Sequence, residues 1–213
     1  MDAAPNEQAA FRLANWDTPL WINPNRRARR FNRAESGPTQ YLSLHPLTPW
    51  AEWLRANGVT ASRQIKEIRG RLWVARVVLA DALVVDFDNC DQFGLEPENL
   101  VGDDYEPCQD FAERCREDAS LPDTVVVPSA ALPGTRNLVI FGARVSVSLF
   151  ESPIDAIDIP VSIAAEDAGP LDFLIDYVRY FNSPHKELDA WKGGQDFEIT
   201  LPAVVPLPLQ GPD

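Results

Sequence analysis

Histidine and cysteine are scarce in this chain: two histidines, His45 and His185, and three cysteines, Cys90, Cys108 and Cys115, in 213 residues. The histidines stand far apart, no C-x-x-C pair occurs, and three widely spaced cysteines do not make a disulfide framework. The thiols are expected to be reduced and to serve core packing. The run Asp86–Phe87–Asp88–Asn89–Cys90–Asp91 is acidic enough to suggest a calcium loop, but aspartate fills the sixth position, where such a loop turns on glycine. No metal site is expected.

Positive charge is short as well, with 19 Lys and Arg against 32 Asp and Glu, a formal net charge of −13 and a sequence pI of about 4.5. Affinity for a phosphate backbone comes from Lys and Arg releasing counterions, so direct nucleic-acid binding is not expected. A basic protein partner suits such a surface. Long apolar runs are missing too. None approaches the ~18 residues of a membrane span, and no basic-then-apolar leader opens the chain. The expectation is a cytoplasmic protein with no membrane partner.

What is present suffices for a core. Hydrophobic residues make up 45% of the chain, whose length suits one domain, or one domain plus an extension. Residues 1–25, broken by Pro5, Pro19 and Pro24, read as an irregular arm with a short extended piece at Leu20–Trp21–Ile22. A basic segment comes next, Arg26–Arg27–Ala28–Arg29–Arg30, then Phe31–Asn32–Arg33 and a turn at Gly37–Pro38. Tyr41–Leu44 reads as a short strand. Thr48 as N-cap and Pro49 at the first helical position open a helix to about Asn57, stopped by Gly58. Glu52 falls four residues after Thr48 rather than three, so it is not the partner in a capping box.

A short helix is expected at Ala61–Ile68, strands at Leu72–Leu79 and Ala82–Asp86, and an acidic loop at Asp88–Asp104. Cys108, Phe111, Ala112 and Cys115 recur at i, i+3, i+4, i+7, which makes Tyr105–Glu117 an amphipathic helix. Strands are expected at Thr124–Val127, Asn137–Phe141 and Ala143–Phe150, and a helix at Leu171–Val178. The end, from Pro202, is proline-rich. This mixed order of strands and helices predicts an α+β domain.

Taken singly, the polar residues of this chain have plain readings. An arginine cluster is a solvated face, Glu52 an exposed helix residue, Tyr41 strand packing and Ser129 a turn residue. His45 is either a turn residue before Pro46 or a liner of a pocket shared with Tyr41 and Glu52. Three segments in order change that reading: Arg29–Arg30–Phe31–Asn32; Tyr41–Leu42–Ser43–Leu44–His45, continuing to Trp50–Ala51–Glu52; and Pro128–Ser129, closing on Asn137–Leu138–Val139–Ile140–Phe141. Together they resemble the RES family, named for an Arg, a Glu and a Ser. Its pattern runs roughly G-R-F/W, Y-L-A, A-x-x-E or A-E, P-S and N-L-V-x-F, here spanning about Trp16 to Phe150. The stretch from Asp104–Tyr105 to Gln109 resembles the family's helix before the serine. One departure stands out: Arg29 replaces the family's glycine, leaving Arg29 and Arg30 to compete for the arginine role, with Arg30, next to Phe31, preferred.

The resemblance implies a single domain over 1–213, with a motif-bearing core at about 16–150 and a C-terminal extension at about 152–213. It also implies a fold similar to ADP-ribosyltransferases, a mixed β core with flanking helices. The implied activity is that of a growth-inhibiting toxin of a toxin–antitoxin pair, consuming NAD as substrate without a metal. The implied partner is a helical, DNA-binding antitoxin that covers the active site. Breaking the nicotinamide–ribose bond builds positive charge on the ribose. Glu52 is the group expected to stabilise that charge and accept from a ribose hydroxyl. Arg30, with Arg29 beside it, is expected on the diphosphate, Tyr41 on the nicotinamide, and Ser129 on a ribose or phosphate oxygen.

Three functions remain open at this level. One is an ADP-ribosyltransferase acting on a protein such as phosphoribosyl pyrophosphate synthetase, with the extension and the loop Asp88–Asp104 as docking surface. Another is an NAD glycohydrolase or NAD phosphorylase that depletes NAD. The last is a non-catalytic regulatory binding protein.

Overall fold

The computed structural model describes residues 7–14, 27–79, 81–141 and 161–201. The extended piece expected at 20–22, the strand expected at 143–150 and the proline-rich end from 202 lie outside them. Among the described residues the strands form one seven-stranded sheet, most of them built from valine, isoleucine and aromatic residues, which suit a half-buried pleated surface. Its strands are β1 (Glu7–Leu13), β2 (Thr39–Ser43), β3 (Gly70–Val78), β4 (Leu83–Val84), β5 (Thr124–Pro128), β6 (Arg136–Phe141) and β7 (Val161–Ala168). The order is β4-β5-β6-β2-β1-β3-β7. All neighbours run antiparallel except β4 and β5. Among the described residues the helices are α1 (Thr48–Ala56), α2 (Ser62–Ile65), α3 (Pro97–Val101), α4 (Glu106–Glu117) and α5 (Lys186–Lys192). The α+β expectation is met.

The two faces of the sheet follow the period-2 alternation of its strands. Tyr41, Val125, Val127, Val139 and Phe141 share one face, where they pack with Phe31, Leu100 and the α4 residues Cys108, Phe111, Ala112 and Cys115. Leu42, Val126, Leu138 and Ile140 turn to the other, beside Ala10, Ala75 and Val77. Helix α1 packs through Trp50, Ala51 and Leu54 against Ile65, Leu132, Leu174 and Val178. All three cysteines are free and buried, and burial pushes the Cys108 and Cys115 thiols up to about 11.

Several local expectations need correcting. The first residues are not an irregular arm throughout, because β1 forms there and pairs with β3 along its whole length. Its composition is weak for a strand, and two flanking strands supply the hydrogen bonds that propensity does not. Thr48 is not a side-chain cap: the helix begins on it, Leu47 is the N-cap, and the Thr48 hydroxyl donates instead to Thr135 Oγ1 at 2.9 Å. Gly58 does end the helix, at φ 62°, with Val59 N–H on Leu54 C=O at 3.0 Å. The region 88–104 is not simply a loop, since it holds a 3-10 turn at Cys90–Phe93 and helix α3. Asn99 folds back there to accept the Glu96 N–H at 2.7 Å. The helix expected from 171 is a 3-10 turn at Asp172–Asp176. The helix expected at 61–68 is α2 alone, four residues long.

Candidate active site

The site grows from register. Ser43 on β2 pairs with Asn137 on β6, and Asn137 in turn pairs with Val127 on β5. Directly opposed residues share a face and bring their Cβ atoms to about 5 Å, so Ser43 and Asn137 meet, and the Ser43 hydroxyl donates to Asn137 Oδ1 at 2.7 Å. That contact turns the Asn137 amide so that Nδ2 points the other way, and it donates to Glu52 Oε1 at 2.9 Å. The opposite amide orientation would set an oxygen against the carboxylate.

A second donor comes from the turn that joins β5 to β6. Ser129 N–H bonds Thr135 C=O at 2.9 Å and closes that turn. The Ser129 hydroxyl accepts from Ala131 N–H at 3.3 Å and Leu132 N–H at 3.1 Å. A hydroxyl has two lone pairs and one proton. With both lone pairs engaged, the proton goes to Glu52 Oε1, 3.0 Å away. Glu52 is half-buried on α1, while Ser129 has no exposed surface. Oε1 is thus occupied by two donors, and Oε2 takes no hydrogen bond among the described residues.

Tyr41 lies two residues before Ser43 on the same face of β2. Its hydroxyl accepts from Phe31 N–H at 3.0 Å and donates to Asn32 Oδ1 at 2.9 Å. Burial pushes its phenol well above the ordinary value, against the opposing pull of Arg29, Arg116 and Arg30. The basic motif forms a tight reversal. Arg29 and Asn32 exchange backbone bonds of 2.9 and 3.2 Å, with Arg30 and Phe31 at the tip. Arg30 is buried, donating from Nη1 to Asn99 C=O at 2.9 Å and from Nη2 to Gly102 C=O at 2.5 Å, with its guanidinium 4.8 Å from the Tyr105 ring centre. Arg29 is exposed. Burial, together with the charge of Arg29, lowers Arg12 on β1 to about 10.

Residues 9–162 match the RES domain family. The chain belongs to that family. No curated protein sequence matches it. Among solved structures, a chain of the M. tuberculosis MbcT–MbcA toxin–antitoxin complex is similar in fold, with a TM-score of 0.57 and 17% identity over 82% of this chain and 90% of that one.

Of the residues singled out in this RES domain, the structure brings Glu52 and Ser129 into direct contact. Tyr41 stands on the same sheet face, and Arg30 is tied to the α3–α4 connection. Ser129 turns its hydroxyl onto the Glu52 carboxylate. His45 takes the turn reading, with Nδ1 accepting from Leu47 N–H at 3.2 Å. Asn137 and Ser43 were not among the expected site residues. Asn137 heads the N-L-V-x-F motif, which offered a signal; Ser43 offered none. Among the described residues no group of three or more His, Cys, Asp or Glu is placed to hold a metal ion, and no helix is long and apolar enough to cross a membrane.

Proposed function

We propose that this RES domain is the toxin of a toxin–antitoxin pair. It cleaves the nicotinamide–ribose bond of NAD and transfers the ADP-ribose to a protein acceptor, with phosphoribosyl pyrophosphate synthetase as the acceptor that the family resemblance suggests. The observation that carries the reading is the Glu52 carboxylate, fixed through one oxygen by Ser129 and Asn137 at 3.0 and 2.9 Å while the other oxygen faces no described donor. A carboxylate held in this way needs no reorganisation to meet charge developing on a ribose. As the ribose–nitrogen bond breaks, its electron pair leaves with the nicotinamide and neutralises the pyridinium. Glu52 Oε2 stabilises the cationic ribose and accepts from a ribose hydroxyl. The acceptor then bonds to the same carbon and gives up its proton to solvent. Tyr41 offers its ring to the nicotinamide, and Arg29 and Arg30 the cationic edge for the diphosphate. Ser129 contributes through Glu52.

Two observations support an antitoxin partner. The similar fold was solved in a toxin–antitoxin complex, and a net charge of −13 suits a basic partner. The antitoxin implied by the family is helical, binds DNA and covers the active site, and such a pair would work in the cytoplasm.

A second reading, NAD glycohydrolase or phosphorylase, gains from one observation. The acidic region and the C-terminal segment, both attractive as docking surfaces, are engaged with each other: Trp191 Nε1 donates to Asp88 at 2.8 Å, and Lys192 pairs with Glu98.

The test is NAD consumption by purified protein, wild type against Glu52→Ala, with products resolved by mass. Nicotinamide release that falls on the order of 100-fold or more in turnover in the mutant is the expected result. A mass increase on an added protein identifies transfer, whereas free ADP-ribose or its phosphate identifies the second reading. Turnover retained in Glu52→Ala would remove that residue from the mechanism.

A further inference from the structure

The family match ends at residue 162, yet the turn that holds Ser129 is braced by residues well beyond that point. Arg179 N–H donates to Ala131 C=O at 2.8 Å. Glu187 accepts from Gly134 N–H at 2.7 Å and from Arg136 at 2.6 Å. His185 reaches the serine itself, with Nε2 lying 3.0 Å from Ser129 C=O. We infer that His185, on the segment beyond the matched domain, is a positioning residue for Glu52, acting through the backbone of Ser129.

The imidazole's two nitrogens fix the argument. His185 is the N-cap of α5, and its Nδ1 accepts from Leu188 N–H at 3.3 Å. A neutral imidazole that accepts at one nitrogen carries its proton on the other, so Nε2 donates to Ser129 C=O. His185 is buried, and burial holds it below its ordinary value, which keeps this neutral tautomer. Capping alone does not call for histidine: serine, aspartate or asparagine does it better. What the ring adds is reach, a donor on the far side of the cap that touches the peptide next to the serine hydroxyl. Ser129 N–H is held by Thr135 and its hydroxyl by two backbone N–H groups, both within its own turn. The C=O is held from outside that turn, by His185 Nε2 at 3.0 Å, as the hydroxyl is by Glu52. If that peptide swings, the hydroxyl swings with it, and Glu52 loses a donor.

The inference rests on the reading of Glu52 as the reacting carboxylate, and two substitutions in the full chain separate the two. His185→Asn keeps a capping oxygen near Nδ1 but has no donor at the distance of Nε2. His185→Gln carries its amide nitrogen where Nε2 was. Melting temperature, nicotinamide release and the side-chain amide signal of Asn137 in nitrogen NMR are read for each, with Ser129→Ala as reference. In His185→Asn, kcat is expected to fall about tenfold, the rate equivalent of one hydrogen bond, with KM within about twofold. The Asn137 amide signal should move as it does in Ser129→Ala. His185→Gln should restore both.

Equal losses in both variants, loss of fold in both, or an unchanged kcat and amide signal in His185→Asn would overturn the proposal. If the wild type releases no nicotinamide, the functional reading fails. The amide signal still decides whether His185 positions the Ser129–Glu52–Asn137 cluster.

Discussion

Glu52 illustrates how little a residue's identity says about its state. On helical periodicity it is an ordinary outward-facing glutamate, yet Ser129 and Asn137, 77 and 85 residues further along, both donate to one of its oxygens. The two arginines of the motif differ in the same way. Arg30 spends donors on Asn99 and Gly102 carbonyls, while Arg29 is exposed and its charge reaches Tyr41. Diphosphate contacts do not change charge in the reaction, so their loss appears in binding rather than in turnover. Arg29→Ala is expected to raise KM for NAD by roughly 10-fold, the scale of one charge-assisted hydrogen bond, with the melting temperature unchanged. Arg30→Ala should raise KM and also lower the melting temperature, because the buried guanidinium's hydrogen bonds to the Asn99 and Gly102 carbonyls are lost. Steady-state kinetics with thermal melts check both; a fixed KM with reduced turnover in either variant would show that the diphosphate assignment is wrong for it.

Elements were legible where local chemistry and tertiary context agreed. The amphipathic spacing of Cys108, Phe111, Ala112 and Cys115 gave α4 directly, and all four side chains are buried. Strands β5 and β6 followed from their valine and isoleucine content. Strand β1 and helix α3 did not, because Glu7–Leu13 is a strand only through its neighbours and α3 is a single short turn with few local cues. Glycines mark the difference between local and tertiary control. Gly58 at φ 62° ends α1 with open space around it, so Gly58→Ala should cost only the left-handed backbone penalty of about 1 kcal/mol. Gly134 at φ 84° would in addition bring a Cβ to 2.9 Å from Ile199 Cγ2 and 3.1 Å from Phe197 Cε1. Gly134→Ala is therefore expected to be the more destabilising by denaturant titration, and to lower turnover as well, because it disturbs the turn carrying Ser129. Equal stability losses at the two positions would refute this ranking.

Across the whole molecule, Asp103 ties three distant parts together. Its Oδ1 pairs with Arg55 of α1 and Arg179 of the C-terminal segment, each at 2.7 Å, and its Oδ2 accepts from Asn182 N–H at 2.6 Å. Burial works to raise this carboxyl, but the Asn182 N–H and the two guanidiniums outweigh it and hold it below the ordinary value. A carboxyl depressed in the folded state contributes stability that is complete above its unfolded value, about 3.9, and is lost as pH falls through the folded value. Asp103→Asn should therefore lower the melting temperature at pH 7, and the gap to wild type should narrow as pH drops below about 4. Melting curves at both pH values check this; a gap independent of pH would mean that the charge on Asp103 does not carry the link.

The sequence by itself determined the α+β class, the burial of the cysteines on α4 and, through motif order, the family, and it singled out Glu52 and Ser129, which the fold brings into contact. Those signals are local or ordered along the chain, so periodicity and spacing carry them. Only the tertiary structure decided that Ser129 meets Glu52, that Ser43 and Asn137 complete the cluster, that Arg30 braces α3, and that the segment beyond the matched domain reaches back through His185. Those relations depend on strand register and on contacts between residues tens of positions apart, and no local pattern in a chain encodes which distant donor will meet a given acceptor.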